Sequence, residues 1–124
     1  MTSKTTVLYR PVGPVELELI ASSGWTRFPP RLAEQPIFYP VLNRNYARQI
    51  AQQWNVPRDG AGFVTRFIIH TAFLNQYEVR RVGNREHQEY WIPSEQLDAF
   101  NDNIVGKIEV VDQFDPRASD MQES

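Results

Sequence analysis

Two charged residues in this sequence have the type and the setting to act on a ligand. Arg10 closes the β-prone run Thr5-Thr6-Val7-Leu8-Tyr9-Arg10 and stands just before Pro11-Val12-Gly13-Pro14. Strand ends meet clefts, and a guanidinium there can clamp a phosphate or carboxylate through two parallel hydrogen bonds. The bland alternative is an ordinary solvated arginine. Glu89 lies in a second β-prone run, Glu86 to Ile92, which follows another from Tyr77 to Val82. Gly83-Asn84 between them has glycine where a two-residue type II′ hairpin turn needs it. That register pairs Arg81 with Glu86, Arg80 with His87, Glu78 with Glu89 and Tyr77 with Tyr90. Like charges facing each other destabilise a ladder, and their proximity would raise at least one carboxyl pKa towards acid–base use. A slipped register, or two solvated carboxylates, would remove the conflict.

Phe38, Tyr39 and Tyr46 could stack a base or nicotinamide ring, or simply pack a core. His70 and His87 are the only histidines and the chain has no cysteine, so no metal site and no disulfide is expected. There is no phosphate-binding glycine loop, no GxSxG elbow and no HExxH. The formal net charge is −2 and the basic residues are scattered, which argues against general nucleic-acid binding. No apolar run is long enough to span a membrane, and Met1-Thr2-Ser3-Lys4 lacks a signal-peptide core. A cytoplasmic protein is the expectation. Aromatic residues make up 12% of 124 residues, enough for both a core and a lined cleft.

The elements that must position these residues follow from pattern. A first strand covers Thr5 to Arg10 and stops at Pro11. Pro14 suits the first position of a helix that carries Leu17, Ile20 and Ala21 inward and ends at Gly24, with Glu16 and Glu18 in its first turn. Four of the nine prolines fall between residues 25 and 40, which forbids a helix and leaves Ile37-Phe38-Tyr39 as an edge strand or cleft wall. The best helical period spans Arg44 to Trp54, with Asn43 or Asn45 as cap and Tyr46, Ala47, Ile50, Ala51 and Trp54 on the buried face. Asn55 to Gly60 reads as a turn-rich loop. Phe63 to His70 alternates as a strand, Thr71 to Gln76 as a helical turn, and Lys107 to Val111 as a last strand. Ser94 is expected to cap a short helix that turns Leu97 and Phe100 inward. One domain, residues 1–114, is expected, with 115–124 a polar, disordered tail.

The order of these features resembles the ADP-ribosyltransferase-like fold. Leu8-Tyr9-Arg10-Pro11-Val12-Gly13 with Glu16-Leu17 and Gly24 matches its opening strand, turn and helix. Phe38-Tyr39-Pro40 and Tyr46 to Ala51, followed by Phe63 to Phe67, match its second element, and Glu89-Tyr90-Trp91-Ile92-Pro93 its third. More closely, Leu8 to Val111 is similar to a family of short bacterial proteins labelled "ADP-ribosylation/crystallin J1". The shared phrases are LYRPVG, FPPRL, QPIFYPVLN, YARQIA, EYWIP and IVGKIEV. The ADP-ribosylglycohydrolases that this label also invokes are larger and all-helical, with metal-binding Asp clusters, and this chain does not fit them.

The resemblance implies an α+β fold with small split antiparallel or mixed β-sheets flanked by two or three helices. It implies NAD as co-substrate, held by Tyr9, Arg10, Phe38, Tyr39 and Tyr46, with Arg10 on phosphate or ribose and Tyr39 or Tyr46 stacked on nicotinamide. Glu89 would hydrogen-bond the ribose 2′-hydroxyl and stabilise an oxocarbenium-like transition state. Phe-Tyr-Pro replaces the Ser-Thr-Ser element of the arginine-modifying transferases, and the His-Tyr-Glu set of the polymerase group is absent. The competing expectations are a module that binds a nucleotide, ADP-ribose or partner without catalysis, and a scaffold whose aromatics are core. The transferase reading needs Glu89 inside the Arg10 cleft rather than across the sheet from it.

Overall fold

The computed structural model describes residues 4–83 and 87–115. The chain runs β1 (Thr5–Val12), α1 (Pro14–Ser22), β2 (Ile37–Phe38), α2 (Arg44–Ile50), α3 (Val56–Asp59), β3 (Gly62–His70), α4 (Thr71–Leu74), β4 (Val79–Arg81), β5 (Gln88–Tyr90), β6 (Ile92–Pro93), α5 (Leu97–Asp102) and β7 (Ile104–Phe114). It is an α+β architecture. A three-stranded sheet of order β1-β3-β7 is accompanied by the pairs β2-β6 and β4-β5. Every strand pair among the described residues is antiparallel, so the mixed sheet held open as an alternative is not found. The single turns α3 and α4 come in addition to the two or three helices expected. The described part of the expected tail is Asp115 alone.

Two single rungs tie the sheets together: Val41 bridges Tyr9 on one side and Glu89 on the other. Val41 is thus flanked on both sides, whereas Ile37–Phe38 pairs with β6 alone, an edge strand as expected, and Tyr39 forms part of a cavity wall. The main core lies on the face of the sheet that carries Leu8 and Phe67. There Phe28, Phe38, Phe67 and Phe100 pack edge-on or tilted with centroids 4.9–5.8 Å apart. Burial of each such side chain contributes about 1.5–3 kcal/mol. A smaller cluster of Val41, Ala47, Ala51 and Val64 seats α2 on the other face.

Several expectations change. β1 runs past Pro11 to Val12, because Pro11 pairs with Val64 while its nitrogen faces away from β3. Asn43 caps α2, its side chain accepting from the Tyr46 N–H at 3.1 Å. The helix then continues through Asp59, where a loop was expected, by way of a π turn over Ala51–Asn55. Pro57 accounts for it, since it has no N–H for the carbonyl four residues back and its ring would strike that carbonyl. The Val56 N–H instead reaches the Ala51 carbonyl, a five-residue step. The wider turn rotates the pattern, burying Asn55 and leaving Trp54 66% exposed rather than on the core face. Gly62 begins β3 where a Cβ would come within 2.5 Å of the Ala51 carbonyl oxygen, so the π turn and the strand pack backbone to backbone.

The hairpin register also differs. Arg81 pairs with Gln88, Arg80 with Glu89 and Val79 with Tyr90. The Val82 N–H donates to the His87 carbonyl at 2.7 Å, so four residues rather than two separate them. Residues 84–86, part of the expected Gly83-Asn84 turn and its flank, lie outside the described residues. Glu78 does not face Glu89, and the like-charge conflict disappears. The slip is two residues, which preserves the faces. β7 is longer than the expected Lys107–Val111 because two register shifts against β3 disturb its alternation, one of them around Gly106 at φ +75°. Leu97 and Phe100 turn inward on α5 as expected, although Ser94 makes no side-chain cap.

Candidate functional site

A proline opens the site. Tyr9 and Val41 exchange both backbone hydrogen bonds, at 2.9 and 2.8 Å. Two residues on, the same ladder would pair residue 11 with residue 39. Pro11 has no N–H to donate, and the two strands part there. The Tyr39 carbonyl accepts instead from Arg10 Nη1 at 3.4 Å. A cavity of about 970 Å³ occupies the split, bounded by β1 and α1, the proline-rich segment 29–35, Tyr39 and the π turn.

One wall is cationic. Arg10 is buried, its Nε and Nη2 donating to the two Glu16 oxygens at 2.6 and 2.9 Å, and its guanidinium lies 4.5 Å from the Phe38 ring centre. Glu16, expected as a helix-dipole residue, is thus the partner of Arg10. Arg31 stands behind the same carboxylate, with Nη1 at 3.9 Å from Glu16 and its side chain 13% exposed. Burial first, then the charge of Arg10, lowers the pKa of Arg31 from the usual arginine value. Two guanidiniums here share one carboxylate. Arg58 and Asp59, against Gly13 at the start of α1, pair with each other at 2.9 Å.

The opposite wall is anionic. Glu89 is 8% exposed and accepts from the Tyr46 hydroxyl at 2.8 Å and from Trp91 Nε1 at 2.7 Å. Both donors are neutral, and Glu89 takes part in no ion pair among the described residues. Arg80 is its strand neighbour, but that guanidinium lies over the Trp91 ring at 4.8 Å. Burial, with the hydrogen bond to Glu89 and its charge, pushes the Tyr46 phenol up to about 12, so it remains a donor. The register through Val41 places Glu89 on the Tyr9 side of the sheet, and an unbroken ladder would turn Arg10 to the other. Arg10 does lie on that other face, over Phe38, and the two residues nonetheless line the one cavity.

The structure sorts the expected residues. Arg10, Tyr39, Tyr46 and Glu89 line the cavity, whereas Tyr9 and Phe38 do not. Phe38 is fully buried beneath Arg10, and Tyr9 packs with the smaller cluster. Tyr46 has one ring face on His87, 4.3 Å away and nearly parallel, which leaves the 40% exposed Tyr39 as the freer of the two stacking candidates. Sequence reasoning missed Glu16, Arg31, Trp54 and Asn55. Pro29-Pro30 ahead of Arg31 was a signal of a fixed backbone, but nothing local told which way that arginine points. Trp54 and Asn55 depended on the π turn. Among the described residues no three His, Asp or Glu side chains group as metal ligands, and no helix is long and apolar enough to cross a membrane. No protein-family model matches the chain, and no curated protein matches it.

Proposed function

We propose that this chain has an ADP-ribosyltransferase-like fold and cleaves NAD in the cytoplasm between nicotinamide and ribose, passing ADP-ribose to an acceptor. The observation that carries this reading is the separation of charge within one cavity, two arginines around one carboxylate on one wall and Glu89 held only by neutral donors on the other. NAD has the matching polarity, with an anionic pyrophosphate and a cationic nicotinamide ring. The cavity, about 970 Å³, lies at the upper end of the range of small-molecule sites, about 300–1,000 Å³. In the reaction the C1′–N bond breaks and its electron pair goes to the nicotinamide nitrogen, which becomes neutral. Positive charge grows on C1′ and the ring oxygen, where Glu89 stabilises it and orients the 2′-hydroxyl. An acceptor nucleophile then bonds to C1′ and loses its proton. Tyr46 and Trp91 fix the Glu89 oxygens before any charge develops, which is what electrostatic preorganisation requires.

The test is nicotinamide release from NAD by the purified protein and by Glu89→Gln. The variant should lose about 10²- to 10³-fold in kcat, the usual effect of removing one preorganised stabilising group. Equal turnover in the variant would take Glu89 out of the chemistry. Neither turnover nor NAD binding by calorimetry would end the NAD reading altogether.

A second reading, a module that binds ADP-ribose or another nucleotide without cleaving it, is favoured by one observation. Both Glu16 oxygens engage Arg10, so that guanidinium is largely satisfied without a ligand. Such a module would bind ADP-ribose and NAD alike and release no nicotinamide.

A further inference from the structure

We propose that Arg31, backed by Arg10, is the seat of a phosphoryl group in this cleft, and that the ligand is a nucleotide carrying a phosphate or pyrophosphate. The inference deepens the NAD reading and rests on it for the identity of the whole ligand, but the anion seat stands on its own geometry. Among the described residues only two buried side-chain polar atoms have no hydrogen-bond partner, Arg31 Nε and Asn55 Oδ1. Both residues line the same cavity. Buried polar groups are nearly always paired. The Arg31 N–H lacks an acceptor, which an anion supplies, whereas the Asn55 oxygen is itself an acceptor and is not answered by a phosphoryl oxygen.

The nearest carboxylate does not answer for Arg31. Both Glu16 oxygens already accept from Arg10, and Arg31 Nη1 stands 3.9 Å away, beyond hydrogen-bond range. What remains on this wall is one positive charge in excess, on a guanidinium whose buried Nε–H has no acceptor among the described residues. A phosphoryl group supplies several anionic acceptor oxygens and would balance that charge. The backbone ahead of Arg31 is set by Pro29 and Pro30, whose φ angles are fixed, and the Leu32 N–H is held by Gln35 Oε1 at 3.3 Å. The arginine is thus presented by a stiff segment, and little conformational freedom is lost on binding. Leu19, Leu32 and Trp54, all exposed beside it on the cavity rim, offer apolar surface for the rest of a nucleotide.

Calorimetry and thermal unfolding of the full chain, with inorganic pyrophosphate, ADP-ribose, NAD and nicotinamide, test the seat. The wild type should bind pyrophosphate and ADP-ribose, and Arg31→Gln should weaken both at least tenfold while leaving nicotinamide affinity unchanged. Arg31→Lys, which keeps the charge but loses the planar fork, should fall between them. Without ligand, Arg31→Gln should melt no lower than wild type, because it removes a desolvated cation. No pyrophosphate binding by wild type, or equal affinity in Arg31→Gln, overturns the proposal. A lower melting temperature with equal losses for all four ligands does the same, since it would mark Arg31 as a structural brace. If Arg31→Gln does not fold, Arg31→Lys decides by the same comparison. Pyrophosphate binding that depends on Arg31 without any release of nicotinamide would keep the seat and remove the NAD reading. NAD turnover with an unchanged KM in Arg31→Gln would do the reverse.

Discussion

The two flanks of β1 are made by the same kind of pairing and come out differently. On one flank β1 meets β3 over eight consecutive residue pairs, Thr5 with His70 through to Val12 with Phe63. On the other it meets the segment 36–42 at Tyr9–Val41 alone. The first flank has alternating β-branched and aromatic residues and builds the aromatic core. The second has Pro11 and Pro40, loses its ladder after one rung, and holds the cavity with Arg10, Arg31 and Glu89. A continuous ladder satisfies its own backbone and leaves side chains free to pack. A broken one leaves carbonyls and charged side chains to satisfy each other, and a ligand can enter that arrangement.

Substitution on the packed flank should produce the largest loss of stability. Phe67 is 1% exposed and touches both Phe28 and Phe100, so Phe67→Ala should cost about 3–5 kcal/mol in urea unfolding. Glu89→Gln, on the split flank, should change unfolding by less than about 1 kcal/mol, since the amide keeps the volume and one acceptor while the desolvated charge is removed. If Glu89→Gln destabilised the protein as much as Phe67→Ala, the two flanks would not differ in role, and Glu89 would be a structural residue.

Alkaline titration sharpens the same contrast. The Tyr46 pKa, about 12, lies above the ordinary value of 10.0 for an unfolded chain. Its contribution to stability is therefore complete below about pH 10 and disappears as pH rises through about 12. Burial raises the pKa of Tyr77 and Tyr90 as well, so the wild-type curve alone does not isolate Tyr46. The difference between wild type and Tyr46→Phe should be constant at neutral pH and shrink across that alkaline window. A difference that stays flat to about pH 12 would mean that the phenol is neither buried nor held by Glu89 in solution.

What could be read from the sequence divides along the same line. β3 announced itself through Phe63, Thr65, Phe67 and Ile69, and α2 through its period and the Asn43 cap, because those signals are local. Arg10 and Glu89 were singled out by residue type and setting, and they line one cavity. The reason first given for Glu89, a facing Glu78, was wrong by two residues, because hairpin register depends on a turn length that Gly83-Asn84 does not fix. Arg31 could not be recognised, since its meaning depends on Arg10 and Glu16, which approach it only in the folded chain. A regular helical period carried across residues 51–55 puts Trp54 in the core, and Pro57 is what breaks that period.

The smallest expected effect on stability is also the most direct test of why the flanks differ. Pro11→Ala restores an N–H opposite the Tyr39 carbonyl. The new hydrogen bond should contribute about 0.5–1.5 kcal/mol, and the freer unfolded chain should cost about 0.4–1 kcal/mol. The two nearly cancel, so the unfolding midpoint should hardly move. The local structure should change far more. With the ladder extended by one rung, Arg10 Nη1 loses the Tyr39 carbonyl as its acceptor, and the wedge between the strands narrows. Hydrogen exchange reads this directly: the amide at position 11 should be protected in Pro11→Ala, and affinity for ADP-ribose should fall. A fast-exchanging amide at that position, with affinity unchanged, would show that the strands part for some other reason than the missing donor. The most natural alternative is the bidentate pull of Glu16 on Arg10, and Glu16→Gln in the Pro11→Ala background would then be the variant that closes the sheet.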